Sequence, residues 1–402
     1  MRVLLVHNHY GSAAPSGENA VFELERAMLE RRGHEVQTLE RHSDDIRKKG
    51  VRGTLLGAIS TPWNPFAARR IRSAIASFQP DVMHAHNTFP LLSPGIFSAA
   101  RGVARVLTLH NYRLVCPAAI PMRNGEVCTE CIDQRGVRPS VVHGCYRGSR
   151  LATLPLAANV ALHRALGTWT QEVEAFIALS SFQKEMLIHA GLPDEKIEVK
   201  ANFYPGDPLP TPFVKRPEKV VFLGRMSEEK GAADLVEAWL RWGKAAPALK
   251  MIGEGPLRKM LSNKAERARN ISFTGHVSGE EAQSEIASAR LVVMPSRCFE
   301  GFPMVLREAF AFGTPAAVSN LGPLPDIVKP AEGLVFPAGD PKTLADSMQA
   351  LWADSARLEN MSRFSRQVFE ERYTEDANYE ELLRIYERAT ERAGRPLARG
   401  AL

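Results

Sequence analysis

Two glutamates eight positions apart, Glu300 and Glu308, bracket Gly301-Phe302-Pro303-Met304-Val305-Leu306-Arg307. The apolar run Leu291-Val292-Val293-Met294 precedes them and stops at Pro295-Ser296. This predicts a short buried strand, a turn, and a helix from about Phe302, with Pro303 near its start, where a missing N–H costs nothing. The N–H groups and dipole of a helix N-terminus attract phosphate, and carboxylates before and inside the helix accept hydrogen bonds from hydroxyls. A phosphate-attracting turn with a carboxylate at each end suits a ligand with a sugar on both sides of a diphosphate, which is a nucleotide sugar. Farther up the same half, Gly224-Arg225-Met226-Ser227-Glu228-Glu229-Lys230-Gly231 follows another apolar run. Arg225 and Lys230 on a loop entering a helix can grip a diphosphate, one as a planar fork and one as a point charge. The loop lacks the glycine spacing and Lys-Ser/Thr ending of a P-loop.

Ten of the eleven histidines lie in the first half. His84 and His86 follow one strand pattern in Met83-His84-Ala85-His86-Asn87, and His110 follows the next in Leu109-His110-Asn111-Tyr112-Arg113. Histidines gathered at neighbouring strand ends predict a polar cleft. Strand alternation points His84 and His86 to one side, but no carboxylate is spaced to complete a metal pair with them. The segment 111–149 is too long for an ordinary connection and predicts a functional insertion. It holds Cys116, Cys128, Cys131 and Cys145, with a C-x2-C knuckle at Cys128-Thr129-Glu130-Cys131. In a reducing compartment such a set favours structural zinc over disulfides, with free thiols and a redox pair as the other readings. Arg113, Arg123, Arg135, Arg138, Arg147 and Arg150 make the insertion basic.

These residues need elements to hold them, and the chain supplies alternating strands and helices, the pattern of parallel sheets covered on both faces. Strands are predicted at 3–7, 35–39, 82–85, 105–109, 176–179 and 197–199, then at 220–223, 249–252, 271–274, 291–294, 316–318 and 334–336. The first helix is predicted over 18–32. A proline-dense stretch, Asn202-Phe203-Tyr204-Pro205-Gly206-Asp207-Pro208-Leu209-Pro210, breaks the alternation and marks a linker. At 402 residues the chain is sized for two cores. The expected organisation is an N-terminal domain 1–203 with the insertion 111–149, a C-terminal domain 204–375, and a last helix in 376–402. Ligands of such sheets sit at the carboxyl ends of the strands, where the motifs above fall.

Glu-Gly-Phe-Pro-Met-Val-Leu-Arg-Glu from Glu300 to Glu308 resembles the E-x7-E signature of the retaining glycosyltransferases of family 4. The Gly224-Arg225 to Lys230 loop resembles that family's G-R-x4-K element. The resemblance implies the GT-B fold, an α/β architecture of two Rossmann-like doubly wound domains facing a cleft, with a last helix that crosses back to the first domain. It implies transfer of a sugar from a nucleotide-diphosphate sugar to an acceptor hydroxyl, with the anomeric configuration kept. By the same resemblance Arg225 and Lys230 hold the donor diphosphate, Glu300 the sugar, and Glu308 the ribose. Backbone groups of Gly301, Phe302, Pro303, Met304 and Val305 lie near the donor. Gly253, His276 and Val277 match places around the base and ribose. His110 matches a histidine facing the donor sugar, and Gly17 the glycine loop after the first strand. His86, Asn87, Asn111 and Arg113 are acceptor-side candidates. The sequence departs from the usual pattern at Ser16, Asn111 and Pro303, where the family more often has Gly, Asp and Gly. No Asp-x-Asp metal motif is present, so no cofactor is expected for catalysis.

Composition fits a soluble globular chain, 45% apolar and 24% charged, with a net charge of +6. Residues 1–205 carry 24 Lys and Arg against 18 Asp and Glu, whereas residues 206–402 carry 27 of each. Arg47-Lys48-Lys49 with Arg52, and Arg69-Arg70 with Arg72, flank an apolar patch around Leu55, Leu56, Ile59 and Trp63. That pairing favours an anionic, lipid-linked acceptor or a peripheral membrane contact, against the plainer reading of a solvated basic face. No nucleic-acid recognition pattern appears, and no G-x-G-x-x-G fingerprint supports a nicotinamide enzyme. The start, Met1-Arg2-Val3-Leu4-Leu5-Val6-His7, reads as a strand rather than a signal peptide, which predicts a cytoplasmic protein working at the inner face of the membrane. Two other classes compete: a nucleotide-sugar epimerase of the same fold, and a non-catalytic nucleotide-sugar-binding protein.

Overall fold

The computed structural model describes residues 1–11 and 16–395; the middle of the predicted glycine loop, Ser12-Ala13-Ala14-Pro15, lies outside the described residues. In chain order the first strands are β1 (Arg2–His9), β2 (Glu35–His42), β3 (Val82–Asn87), β4 (Ala104–Leu109), the short pair β5 (Met122–Arg123) and β6 (Glu126–Val127), β7 (Ala175–Ala178) and β8 (Ile197–Val199). The others are β9 (Lys219–Leu223), β10 (Ala248–Ile252), β11 (Ile271–Gly275), β12 (Leu291–Met294), β13 (Ala316–Ser319) and β14 (Leu334–Phe336). All twelve sheet strands read from the sequence are present.

The chain divides into two compact units. The first comprises Met1–Pro121, Thr129–Ala201 and the chain from Asn378 onward. Its parallel sheet runs β2-β1-β3-β4-β7-β8. The central strands β3, β4 and β7 are buried at every position while the edge strand β2 is not, and in β1 Val3, Leu4, Leu5 and Val6 are all fully buried. Each such side chain contributes about 1.5–3 kcal/mol. The last helix, Glu375–Arg392, buries Leu382, Ile385, Tyr386 and Ala389. Within this unit Tyr386 bonds to His84, and Asn378 to Lys200 and the Ala201 carbonyl.

The second unit comprises Met122–Cys128 and Asn202–Ala377. Its parallel sheet runs β11-β10-β9-β12-β13-β14, and Trp239, Leu235, Met251, Val293 and Met348 are among the residues of its core. The β5–β6 hairpin, part of the predicted insertion, groups with this unit.

The strand order reverses between β1 and β3 in the first sheet and between β9 and β12 in the second. Open α/β sheets bind ligands at such switch points, outside the carboxyl ends of the strands. Each half therefore has one place where its loops should carry chemistry.

Candidate active site

At the second switch point the loop after β9 carries Arg225 and Lys230, and the turn after β12 carries Glu300. The Lys230 ammonium donates to both Glu300 oxygens, at 2.7 and 2.9 Å. The Ser296 hydroxyl donates to the same carboxylate at 2.7 Å, and the Ser319 hydroxyl fixes the Ser296 carbonyl at 2.6 Å. Burial opposes the charge on Lys230, but Glu300 overrides it and holds its pKa above the ordinary value. Gly231 makes the loop possible. Its φ is +63°, and a Cβ there would lie 1.8 Å from the Pro295 carbonyl oxygen. Arg225 is exposed, and among the described residues its guanidinium makes one ion pair, to Glu229 at 4.0 Å, which leaves its fork open to a ligand.

The motif helix is Met304–Ala311, with Pro303 as its N-cap and no side chain capping it. It starts two residues later than the sequence predicts, because Pro303 has an extended ψ of 125°. Glu308 falls in its second turn. Burial raises the pKa of Glu308, while Arg307, 3.4 Å away, pulls it down. Arg307, inside the motif but without a role read from the sequence, is buried, donates to the Phe203 carbonyl, and lies over the Tyr204 ring at 5.5 Å.

Other donor-side candidates divide between packing and surface. Phe302 is buried against Tyr373, 5.1 Å between ring centroids, so its side chain anchors the turn. Val305 is buried and Met304 half-buried. Gly253 is explained by packing: at φ +128°, a Cβ there would lie 2.1 Å from the Gly224 carbonyl oxygen. His276 is exposed, and Val277 packs on the small cluster of Val221, Ile252 and Ala289.

At the first switch point histidines from three strands meet. His86 Nδ1 and His110 Nε2 are 3.1 Å apart, and His84 lies between Tyr386 and Thr108 hydroxyls at 2.9 and 2.8 Å. The reading that no carboxylate accompanies His84 and His86 is corrected by Glu25, from the helix Gly17–Arg31, whose Oε1 is 3.0 Å from His84 and 3.2 Å from His86. Its position in a distant segment hid it from any spacing argument. Lys200 compensates the other oxygen, Oε2, at 3.0 Å. Burial alone would raise the Glu25 pKa; Lys200 and the two imidazoles hold it well below the ordinary value. Burial, with His86 and His7 nearby, keeps His110 far below the usual histidine range, so it is a neutral imidazole at pH 7.

Asn87 is buried, donating to the Asn8 carbonyl and accepting from the Phe89 amide. His86, Asn87, His110, Asn111 and Arg113 line one cavity of about 40 Å³. That is room for two or three waters. Gly17 opens the first helix and is exposed.

None of the cysteines forms a disulfide. Burial pushes the Cys116 thiol up to about 12. Among the described residues, no three cysteines bring their sulfurs within 4.8 Å of one another, whereas a tetrahedral zinc with bonds of about 2.3 Å needs sulfurs about 3.8 Å apart.

Comparison with known proteins agrees with this architecture. Residues 17–204 match the model of "Glycosyltransferase Family 4", and residues 209–368 that of "Glycosyl transferases group 1". The chain is 26% identical over 320 residues to a sulfoquinovosyl transferase of Arabidopsis thaliana, covering 75% of this chain and 55% of that one. It is 30% identical over 167 residues to a glycogen synthase of Mycobacterium tuberculosis, 39% of this chain and 40% of that one. It thus spans about half the length of these relatives. In fold it is similar to sucrose-phosphate synthase of Thermosynechococcus elongatus, with a TM-score of 0.71 at 16% identity over 96% of this chain and 98% of that one. It is also similar to Anabaena HepE in complex with UDP and glucose, with a TM-score of 0.64 at 15% identity over the same shares. Both halves of the chain match a glycosyltransferase family model, each built on one parallel sheet, and the protein belongs to the GT-B glycosyltransferases of the family 4 type.

Proposed function

We propose that this protein is a retaining glycosyltransferase that moves a sugar from a nucleoside-diphosphate sugar to an acceptor hydroxyl in surface polysaccharide or glycolipid assembly. The observation that carries this reading is the Lys230–Glu300 pair beside the free fork of Arg225 at the second switch point. When the bond from the anomeric carbon to phosphate breaks, its electron pair goes to the phosphate. Arg225, Lys230 and the uncapped N–H groups at Met304 and beyond stabilise that charge, and such preorganised donors are usually the largest catalytic term. This cation set carries the diphosphate by itself, so the reading needs no metal. Glu300 binds the transferred sugar and Glu308 the ribose. HepE holds UDP and glucose on the same fold, which supports a donor of this class.

An anionic or lipid-linked acceptor follows from the first unit. The helix Gly50–Ser60 exposes Val51, Leu55, Leu56 and Ile59, and Phe66 stands 80% exposed beyond it. Lys48, Lys49, Arg52, Arg69 and Arg70 flank these groups. No helix among the described residues is long and apolar enough to cross a membrane, so the working location in this reading is the membrane face, approached peripherally.

The test is calorimetric binding of a panel of nucleotide sugars to the parent and to Lys230→Ala and Glu308→Ala. Selective binding of one donor, weakened by both changes, is expected. A folded parent that binds none of them overturns the reading.

A further inference from the structure

Among the described residues two groups of three side chains have the ligand types and spacing to hold a metal ion: Glu25 with His84 and His86, and His9 with Glu40 and His42. The first group is already saturated. Lys200 neutralises Glu25, the Tyr386 and Thr108 hydroxyls occupy the two nitrogens of His84, and all three side chains are buried. An ion entering there would meet the Lys200 ammonium. The second group lies wholly within the first unit, at the carboxyl ends of β1 and β2, and it reaches solvent.

Strand geometry brings the second group together. Parallel pairing sets His9 directly beside His42 across the β1–β2 ladder. Glu40 is two residues before His42, so both point to one face of β2. His9 packs on that side against Phe22 of the helix Gly17–Arg31, ring edge to face at 5.6 Å. His9 Nε2 lies 2.7 Å from Glu40 Oε2, the His42 ring stacks on His9 at 4.5 Å, and the ligand atoms of all three lie within 4.8 Å of one another. The backbone beneath them is clamped. Ser43 donates its N–H and its hydroxyl to the His9 carbonyl, at 3.0 and 2.8 Å, and the Asn8 side-chain amide donates to the Ser43 hydroxyl and to the same carbonyl, at 3.0 and 3.1 Å. His9 is buried, Glu40 half-buried and His42 exposed, so the ligands run from a fixed interior group to a surface one.

We propose that His9, Glu40 and His42 form a site for a divalent transition ion of the zinc class. Two imidazoles and one carboxylate suit such borderline ions, whereas magnesium and calcium take oxygen ligands. Bonds of about 2.0–2.2 Å place tetrahedral ligands about 3.3–3.6 Å apart. His9 Nε2 and Glu40 Oε2 therefore need to part by less than about 1 Å, and His42 has only to turn about its own side-chain bonds at the surface. The His9 tautomer with its N–H on Nδ1 offers the Nε2 lone pair to the ion. Water takes the fourth position, on the solvent side beside His42.

The site uses no residue of the donor machinery and takes no part in sugar transfer. Its effect is mechanical. β2 is the edge strand of the first sheet, and the chain leaving it runs into the helices Asp44–Arg47 and Gly50–Ser60. An ion shared by β1 and β2 fixes the root of that basic and apolar segment.

Full-length protein stripped with a chelator is titrated with zinc(II) chloride in a calorimeter and with cobalt(II) in a spectrometer, beside His42→Ala and Glu40→Gln. The cysteines are the competing ligands, and cobalt separates the two cases: thiolates give an intense ultraviolet charge-transfer band that nitrogen and oxygen ligands lack. The parent should bind zinc at least about tenfold more tightly than either variant, and the cobalt spectrum lost in the variants should carry no thiolate band. Zinc should raise the melting temperature of the parent more than that of the variants, since an ion bound only to the folded state stabilises it. His42 is exposed, so His42→Ala without metal should melt with the parent; Glu40→Gln, which keeps an oxygen beside His9, is the second check. Equal zinc affinity in the parent and both variants, a cobalt spectrum from thiolates alone, or filling only at millimolar zinc overturns the proposal. Donor binding in the nucleotide-sugar panel should be unchanged in His42→Ala, so the glycosyltransferase reading stands or falls separately.

Discussion

The Lys230 ammonium sits within 2.9 Å of both carboxylate oxygens of Glu300, although 70 residues separate them. The pair joins the two motifs of the second unit before any donor arrives. In Lys230→Ala, Glu300 retains only the Ser296 hydroxyl among the described residues. An unpaired, mostly buried carboxylate is worth about 1–3 kcal/mol of lost stability. Donor turnover should fall by about 10²–10³-fold if, as proposed, the same ammonium stabilises the leaving phosphate. Melting curves and turnover measured on Lys230→Ala, Glu300→Ala and the double variant check this. If the double variant is no better than the sum of the singles in stability, the two groups are not coupled.

Gly231 shows how tightly the loop is built. Its substitution by Ala puts a methyl where the Pro295 carbonyl oxygen stands 1.8 Å away, at a φ of +63°. The β12 exit and the Lys230 loop must then separate, so Gly231→Ala should lose donor affinity by at least about tenfold and melt at a lower temperature. Calorimetry with the panel-selected donor and a thermal scan read both. A variant that binds as the parent does would show that Lys230 is placed by something other than this contact.

Much of this frame is legible in the chain because parallel strands buried on both faces read as short apolar runs, and the loops after them carry the charged residues. Arg225, Lys230, Glu300 and Glu308 are visible for that reason. What is hidden is pairing across distance. Glu25 reaches His84 and His86 from a helix that reads simply as amphipathic, and its cation, Lys200, lies 175 residues away. Glu18 and Asn111 are 93 apart. No local period encodes such contacts; only the strand order 2-1-3-4, fixed by the sheet, brings them to one edge. Pro303 was displaced for a local reason: its extended ψ makes it the cap rather than the first helical residue.

Buried histidines make the first unit sensitive to acid. Burial lowers His7 to about 3 and His84 to about 4, and drives His110 well below the ordinary range. In the unfolded chain each titrates near 6.5. Unfolding therefore takes up protons below that value. Their stabilisation is complete above pH 6.5 and is lost progressively as the pH falls toward 4 and 3, by roughly 2 kcal/mol per histidine at pH 5. The depressed Glu25 adds loss below its unfolded value, near 4.5. Glu18, raised to about 7, acts in the other direction between 7 and 4.5, and offsets about one histidine. The melting temperature should fall steeply from pH 6.5 to 5. His84→Gln should melt lower than the parent at pH 7 but show a shallower fall. A flat profile from pH 7 to 5 would mean these rings are protonated in the folded protein.

The exposed apolar face of the helix Gly50–Ser60 predicts where the first unit meets lipid. Val51 is 87% exposed, with Leu55, Leu56 and Ile59 on the same short helix and Lys48, Lys49 and Arg52 beside them. Apolar insertion and anionic attraction reinforce each other, each basic residue near a charged surface contributing about 1 kcal/mol. The parent should sediment with phosphatidylglycerol vesicles and stay free of phosphatidylcholine vesicles. Raising salt should release it, since the screening length at 0.15 M is only about 8 Å. Lys48→Glu with Lys49→Glu should act on the charge component, and Leu55→Asp with Ile59→Asp on the apolar one. Because these side chains carry no part of the core, both double variants should keep the parent's melting temperature. Binding that ignores lipid charge, salt and all four substitutions would assign this face to solvent and remove the argument for a membrane-held acceptor.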